Sequence, residues 1–196
     1  MIKLYNEDCM TQYIPHANRG QTLEEIIKLS NLRYRHAGVA VLTKIPTEFL
    51  PIRNRSGQVV SCKVNGKASV DFIGRRMDEP IAVEAKETNS DNIRYDAVRE
   101  HQKDFLDDYT VNGMGDGYVL VAFSLERFYM VPWEFWRAGR QAWKDAQHKG
   151  KRKAEIITAC GWNTSGKASI KESELNPEWE VKFHHQVGLD YLRIYR

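Results

Sequence analysis

The sequence predicts a mixed α/β fold: a mixed β-sheet flanked by helices, with a basic β-hairpin projecting from it. Three observations carry this. Short β-rich runs alternate with segments of helical period along most of the chain. Two of those runs, Lys67–Ile73 and Ile81–Lys86, are joined by a turn-forming stretch, Gly74–Pro80, as neighbouring strands are. Between residues 46 and 67, two β-prone pieces, Glu48–Arg53 and Gln58–Val64, flank Asn54-Arg55-Ser56-Gly57, a turn signal.

In order, residues 1–20 show little periodicity and read as a lead-in, with 1–17 an arm. Thr22 is placed to cap a helix whose apolar positions Leu23, Ile26, Ile27 and Leu29 follow helical spacing, and Gly38 ends it. Val39–Ile45 is β-rich and stopped by Pro46. The basic hairpin and the two strands around Asp71 and Glu84 come next. Asp96–Tyr109 reads as a helix and Gly113–Gly117 as a loop. Tyr118–Phe123 is an apolar strand, paired with Phe128–Val131. Pro132 then opens a helix through Trp133, Phe135, Trp136 and Trp143, whose spacing suits a core or a subunit interface. The tail carries β-prone pieces at Glu155–Cys160, Trp179–Phe183 and Tyr191–Ile194, with a helical turn at Ser169–Leu175.

The chain has 196 residues, 42% of them hydrophobic, which suffices for one ordinary core and a single domain over 1–196. Three scattered cysteines, Cys9, Cys62 and Cys160, form no CxxC pair and argue against a disulfide framework or zinc knuckle. No apolar run approaches a membrane span and no signal-peptide pattern opens the chain, so a cytoplasmic location is expected. Net charge is only +3, but it is unevenly spread. Lys44, Arg53, Arg55, Lys63 and Lys67 face one acid, Glu48; residues 144–153 carry five cations against Asp145. Basic stripes beside an acidic pocket suit a polyanion held near a metal; each stripe alone is equally compatible with a solvated face. No Walker A loop, dinucleotide fingerprint or Gly-x-Ser-x-Gly is present, which removes nucleotide-driven motors, Rossmann dehydrogenases and α/β-hydrolases.

The chemistry concentrates on Asp71 and Val83-Glu84-Ala85-Lys86. A short turn between their strands brings both carboxylates to one end of a sheet, and Glu84 and Lys86, two positions apart, share a face. Two carboxylates and an ammonium suit a hard, oxygen-liganded cation and a positioned water. Asp71 and Glu84 are therefore the candidate metal ligands, with the Ala85 carbonyl as a further oxygen. Lys86 is the candidate for orienting or deprotonating the water; otherwise it merely neutralises Glu84. Glu24 or Glu25 completes the site, although first-turn acids are favoured by the helix dipole in any case. Gln102 is placed to hydrogen-bond the water or a phosphate, though a helix-surface Gln is the commoner outcome. His184-His185 has no acid or cysteine at ligand spacing.

An ordered series of motifs resembles the RecU-type Holliday junction resolvases, within the PD-(D/E)xK nuclease superfamily. It comprises Asn18-Arg19-Gly20, Thr22-Leu23-Glu24-Glu25, Lys44-Ile45-Pro46, Asp71-Phe72-Ile73-Gly74, Glu84-Ala85-Lys86-Glu87-Thr88, His101-Gln102, Ser169-Ile170-Lys171, Glu174 and Leu189-Asp190-Tyr191-Leu192. The resemblance implies a restriction-endonuclease-like fold and a homodimeric, Mg2+-dependent endonuclease that cuts four-way DNA junctions by paired nicks, with Mn2+ as the other candidate ion. A recombinase is a further candidate partner. Family roles fall on Glu24, Asp71, Glu84 and Lys86, and the spacing from Gly20 favours Glu24 over Glu25. Residues 46–67 occupy the place of the family's stalk, and Arg19, Arg53, Arg55, Lys63 and Lys67 are the expected DNA contacts. Three features depart from the family pattern: Val70 stands where a hydroxyl residue is usual, the stalk is short, and 144–164 resembles a basic insertion. Two alternatives stay open: a restriction-like or repair nuclease acting on other DNA, and a non-catalytic junction-binding protein.

Overall fold

A computed structural model describes residues 22–66, 68–148, 156–157, 163–164 and 167–194. Helix α1 (Leu23–His36) starts with a reciprocal cap. The Thr22 Oγ1 accepts from Glu25 N–H (3.3 Å) and Glu25 Oε2 accepts from Thr22 N–H (2.9 Å). Its buried stripe is Leu23, Ile26, Ile27, Ser30, Asn31 and Tyr34, while Leu29 is only half-buried. Gly38 stops it at φ 71°, a backbone state that side chains with a Cβ rarely adopt.

The remaining elements are β1 (Ala40–Lys44), β2 (Phe49–Arg53), β3 (Val59–Val64), β4 (Phe72–Arg76), β5 (Glu79–Thr88), β6 (Asn92–Arg94), α2 (Glu100–Val111), β7 (Asp116–Phe123), β8 (Arg127–Pro132) and α3 (Trp133–His148). The short β9 (Ile156–Ile157), β10 (Asn163–Thr164), β11 (Ser169–Lys171), β12 (Glu180–Val181), β13 (Phe183–His184) and β14 (Gly188–Leu189) follow. Six strands form the main sheet in the order β1-β4-β5-β7-β8-β12. Only the β5/β7 pair is parallel, with α2 in the crossover between them; the other neighbours are antiparallel.

The two faces of the sheet carry separate apolar clusters. Ile81, Val83, Leu120 and Phe72 pack with α1 and the C-terminal residues Leu189, Tyr191 and Leu192. Ala82, Val119 and Val121 pack on the other side with Leu106 of α2 and Trp133 and Trp136 of α3. Trp133 and Trp136 are thus core residues, while Trp143 is half-buried with the Arg94 guanidinium 5.7 Å from its ring centroid. The β2–β3 hairpin stands apart, and its described side chains, including Phe49, Leu50, Ile52, Val59 and Val60, are exposed.

Several boundaries differ from the sequence expectations. Asp71 precedes β4 instead of lying within a strand. Asp96 belongs to a 3-10 turn, Tyr95–Ala97, and α2 starts at Glu100 after the extended Val98. The β7 strand starts at Asp116, shortening the expected loop. Helix α3 runs on to His148, so residues 144–148 of the expected insertion are helical; most of 149–164 lies outside the described residues. Tyr191–Ile194 forms a turn and coil, with Arg193 at φ 54°, and Tyr191 and Leu192 bury their side chains without joining the sheet. The 1–17 arm, Arg19 and Lys67 lie outside the described residues. Among the described residues, no helix is long and apolar enough to cross a membrane.

Candidate active site

Alternation along β5 builds the site. Val83 and Ala85 face the α1 side, whereas Ala82 faces the α2/α3 side, so Glu84 and Lys86 also project toward α2. Glu84 is fully buried. Its Oε1 accepts from Lys86 Nζ (2.5 Å) and from Gln102 Nε2 (2.6 Å), and its Oε2, also buried, has no partner among the described residues.

Asp71 reaches the same place from the neighbouring strand. Phe72 pairs with Val83 across the antiparallel ladder, which sets Asp71 beside Glu84. Asp71 Oδ2 accepts the backbone N–H of Ala85 (2.9 Å), while its carbonyl accepts from Ile45 N–H (2.9 Å). The Asp71 carbonyl is thus turned to the β1 side, while its side chain takes a β5 donor.

Burial and the adjacent Asp71 charge push the Glu84 carboxyl up to about 7, against the opposing pull of Lys86. The pair is short of positive charge, and Glu84 presents an unpartnered buried oxygen. That combination fits a divalent cation with oxygen ligands.

Gln102 sits in the first turn of α2, nearly buried. The sequence points it at a water or a phosphate; here its amide is turned onto Glu84. Its Oε1 accepts from Arg99 N–H (2.9 Å) and, at 3.4 Å, from Lys86 Nζ. Behind it, the buried Arg140 of α3 donates to Val98 O (2.5 Å) and Glu100 Oε1 (2.8 Å), which fixes the entry to α2. Arg140 had no sequence signature, because its partners lie about forty residues away.

Glu24 lies on α1, which packs on the opposite face of the sheet from Glu84. Its carboxylate forms an ion pair with Lys44, the last residue of β1, whose neighbour Ile45 is bonded to Asp71. Lys44 was legible only as one cation of a basic stripe and in the Lys44-Ile45-Pro46 motif; its pairing with Glu24 had no signal in the spacing. Among the described residues, no cluster of three or more His, Cys, Asp or Glu side chains forms, so Glu24 does not join Asp71 and Glu84 in this arrangement. Glu25 is committed to the helix cap.

Of the expected DNA contacts, Arg53, Arg55 and Lys63 are exposed on the hairpin, and Arg53 Nη1 donates to Gly57 O (2.8 Å) across its turn. Val70 is fully buried in the apolar cluster on the α2/α3 side. The rings of His184 and His185 lie with centroids 4.2 Å apart, tilted by 43°, at β13.

Comparison with known proteins agrees with the motif series. The RecU family model, described as recombination protein U, matches residues 18–196. The Holliday junction resolvase RecU of Lactobacillus delbrueckii subsp. bulgaricus is 33% identical over 147 residues, covering 71% of this chain and 70% of that protein. The Holliday junction resolvase RecU of Geobacillus kaustophilus is 31% identical over 146 residues, covering 71% of this chain and 70% of the relative. Among solved structures, Hjc, a Holliday junction resolvase of Archaeoglobus fulgidus, aligns with a TM-score of 0.39 at 10% identity, covering 73% of this chain and 83% of that one. With a family match running from residue 18 to the last residue, the chain belongs to the RecU family.

Proposed function

We propose that the protein is a divalent-metal-dependent endonuclease that resolves four-way DNA junctions, acting as one nuclease unit per chain. The observation that carries the reading is the paired Asp71 and Glu84 carboxylates with Lys86 on the Glu84 oxygen. The names of the similar proteins supply the substrate class.

Asp71, Glu84 and the Ala85 carbonyl would hold the ion, with Mg2+ favoured and Mn2+ the other candidate. The bound cation supplies charge neutralisation at the scissile phosphate and its leaving oxygen. Lys86 orients the attacking water beside Glu84. The water oxygen forms the new bond to phosphorus, the bond to the leaving sugar oxygen breaks, and that oxygen takes up a proton. Gln102 holds the Glu84 carboxylate in register so that its second oxygen stays available. Glu24 is the third acid of the centre: a phosphate arriving at Lys44 competes for that ammonium and frees the Glu24 carboxylate.

The exposed hairpin, with Arg53, Arg55, Lys63 and Lys67, engages the junction through phosphates and so reads shape before sequence. Arg19 is a further proposed DNA contact. A two-fold dimer sets two centres on opposing strands and yields paired nicks. Such an enzyme works in the cytoplasm, where its DNA is.

The test is a panel of end-labelled linear duplex, flap, three-way and four-way DNA, with Mg2+ or with chelator. Metal-dependent cutting should be greatest on four-way DNA, and Asp71→Asn should bind the junction but leave it intact. Cutting of linear duplex at an equal rate would sink the junction assignment, and wild-type cutting by Asp71→Asn would sink the site.

A further inference from the structure

Two cations on α1 have no place in the centre just described. Lys28 and Arg35 are both exposed and lie seven residues apart, so they share a helix face about 10 Å apart along the axis. With Asn31, Thr43 and Lys44 they line a cleft of about 220 Å³ between α1 and β1. β1 is an edge strand of the main sheet, and the cleft runs from Lys44, at the site, toward the far end of α1.

Many cations of the body are held by carboxylates: Arg76 by Glu79, Arg94 by Asp96, and both Arg140 and Lys144 by Glu100, while among the described residues Arg75, Arg99 and Lys171 are not. Among the described residues, Lys28 and Arg35 have no such partner, and the nearby acids are already used, Glu24 by Lys44 and Glu25 by the Thr22 cap. The helix dipole rationalises a cation in the last turn, where Arg35 sits, but not Lys28 in the middle of the helix.

We infer that the α1–β1 cleft is a binding track for the DNA backbone, in which Lys28 and Arg35 each contact a phosphate of the segment leading away from the cut site. Two cations about 10 Å apart match the rise of about three nucleotides of one strand. Lys44 links this track to the centre, so its direction, though not its existence, rests on the nuclease reading.

The experiment measures affinity of the metal-free protein for a four-way junction and for a linear duplex across a salt series. The proteins are wild type, Lys28→Gln, Arg35→Gln and the double variant, each checked by thermal unfolding. Each single change should lower the slope of log K against log salt by about 0.9, and the double by about 1.8, with both DNAs weakened alike. An unchanged slope in the double variant overturns the track. A shifted monomer–dimer equilibrium with an unchanged slope assigns the cleft to a second copy of the chain and overturns it too. A wild-type protein that binds both DNAs but cuts neither removes the nuclease reading, and the slopes still decide the track.

Discussion

Gln102 donates its amide to Glu84 at 2.6 Å while its carbonyl end accepts the Arg99 N–H, so helix α2 clamps a carboxylate of strand β5. Both ends of the amide are used, and the orientation of Gln102 is therefore fixed by its own helix. Replacing Gln102 with Leu removes the clamp without adding charge. Cleavage or metal affinity should fall by about 10–100-fold, as is usual when a partner of a ligand is lost. Junction affinity under chelator should stay at the wild-type value. Full activity in Gln102→Leu would mean that the contact is only structural.

The raised Glu84 carboxyl sets a pH dependence. Its folded value, about 7, lies above the ordinary 4.5, so the folded metal-free protein binds this proton more tightly than the unfolded chain does. The stability it contributes is complete below about 4.5 and is lost as pH rises through about 7. A cation competes for the same oxygen, so metal binding strengthens as pH rises toward 7 and levels off above it. The rise in melting temperature on adding Mg2+ should follow that profile, and Glu84→Gln should flatten it. A wild-type rise that is equal at pH 5.5 and pH 8 would contradict the assignment.

Val70 tests packing against catalysis. It is fully buried among apolar side chains next to Asp71. Val70→Thr puts a hydroxyl there without a partner and should cost about 1–3 kcal/mol in urea unfolding. The cutting rate at saturating metal should not rise. A faster enzyme of unchanged stability would show that position 70 limits the chemistry.

Gly139 is a helix-interior glycine in α3, where alanine would ordinarily be worth about 1 kcal/mol. A Cβ there would overlap the ring and hydroxyl of Tyr95, which also packs edge-on against Trp136. The clash should decide the sign: Gly139→Ala should destabilise by about 1–3 kcal/mol, read as a lower urea midpoint. A stabilised variant would show that Tyr95 moves aside at little cost.

Local pattern made part of this site legible. The two-residue offset of Glu84 and Lys86 puts them on one face of any strand, and a turn brings Asp71 alongside, although that turn is confined to Met77–Asp78 and the expected Gly74–Pro80 stretch is otherwise strand. What Gln102 touches depends on which face of the sheet α2 covers, and helical period does not encode that. The Glu24–Lys44 pair joins residues twenty apart, each with an ordinary local explanation. The C-terminal motif gave no hint that Tyr34 would donate to Asp190 (2.7 Å) or Tyr191 to Asn31. These bonds span more than 150 residues, and burial of Tyr34 and Tyr191 raises both phenols well above their ordinary value. The start of β4 after Asp71 was hidden for another reason: the Asp71 side chain takes the Ala85 N–H of β5, a contact that β-propensity does not register.

The hairpin leaves the body after β1 and returns before β4, and Ile45 is hydrogen-bonded to Asp71 where the two ends meet. Its two legs also cross-link at Asn65 and Glu48, close to the sheet. A loop closed at its neck can lengthen or shorten at the tip for well under about 1 kcal/mol of closure entropy per doubling. Evolution can therefore trim or extend this arm as an exchangeable cassette while the acid beside its root keeps its place.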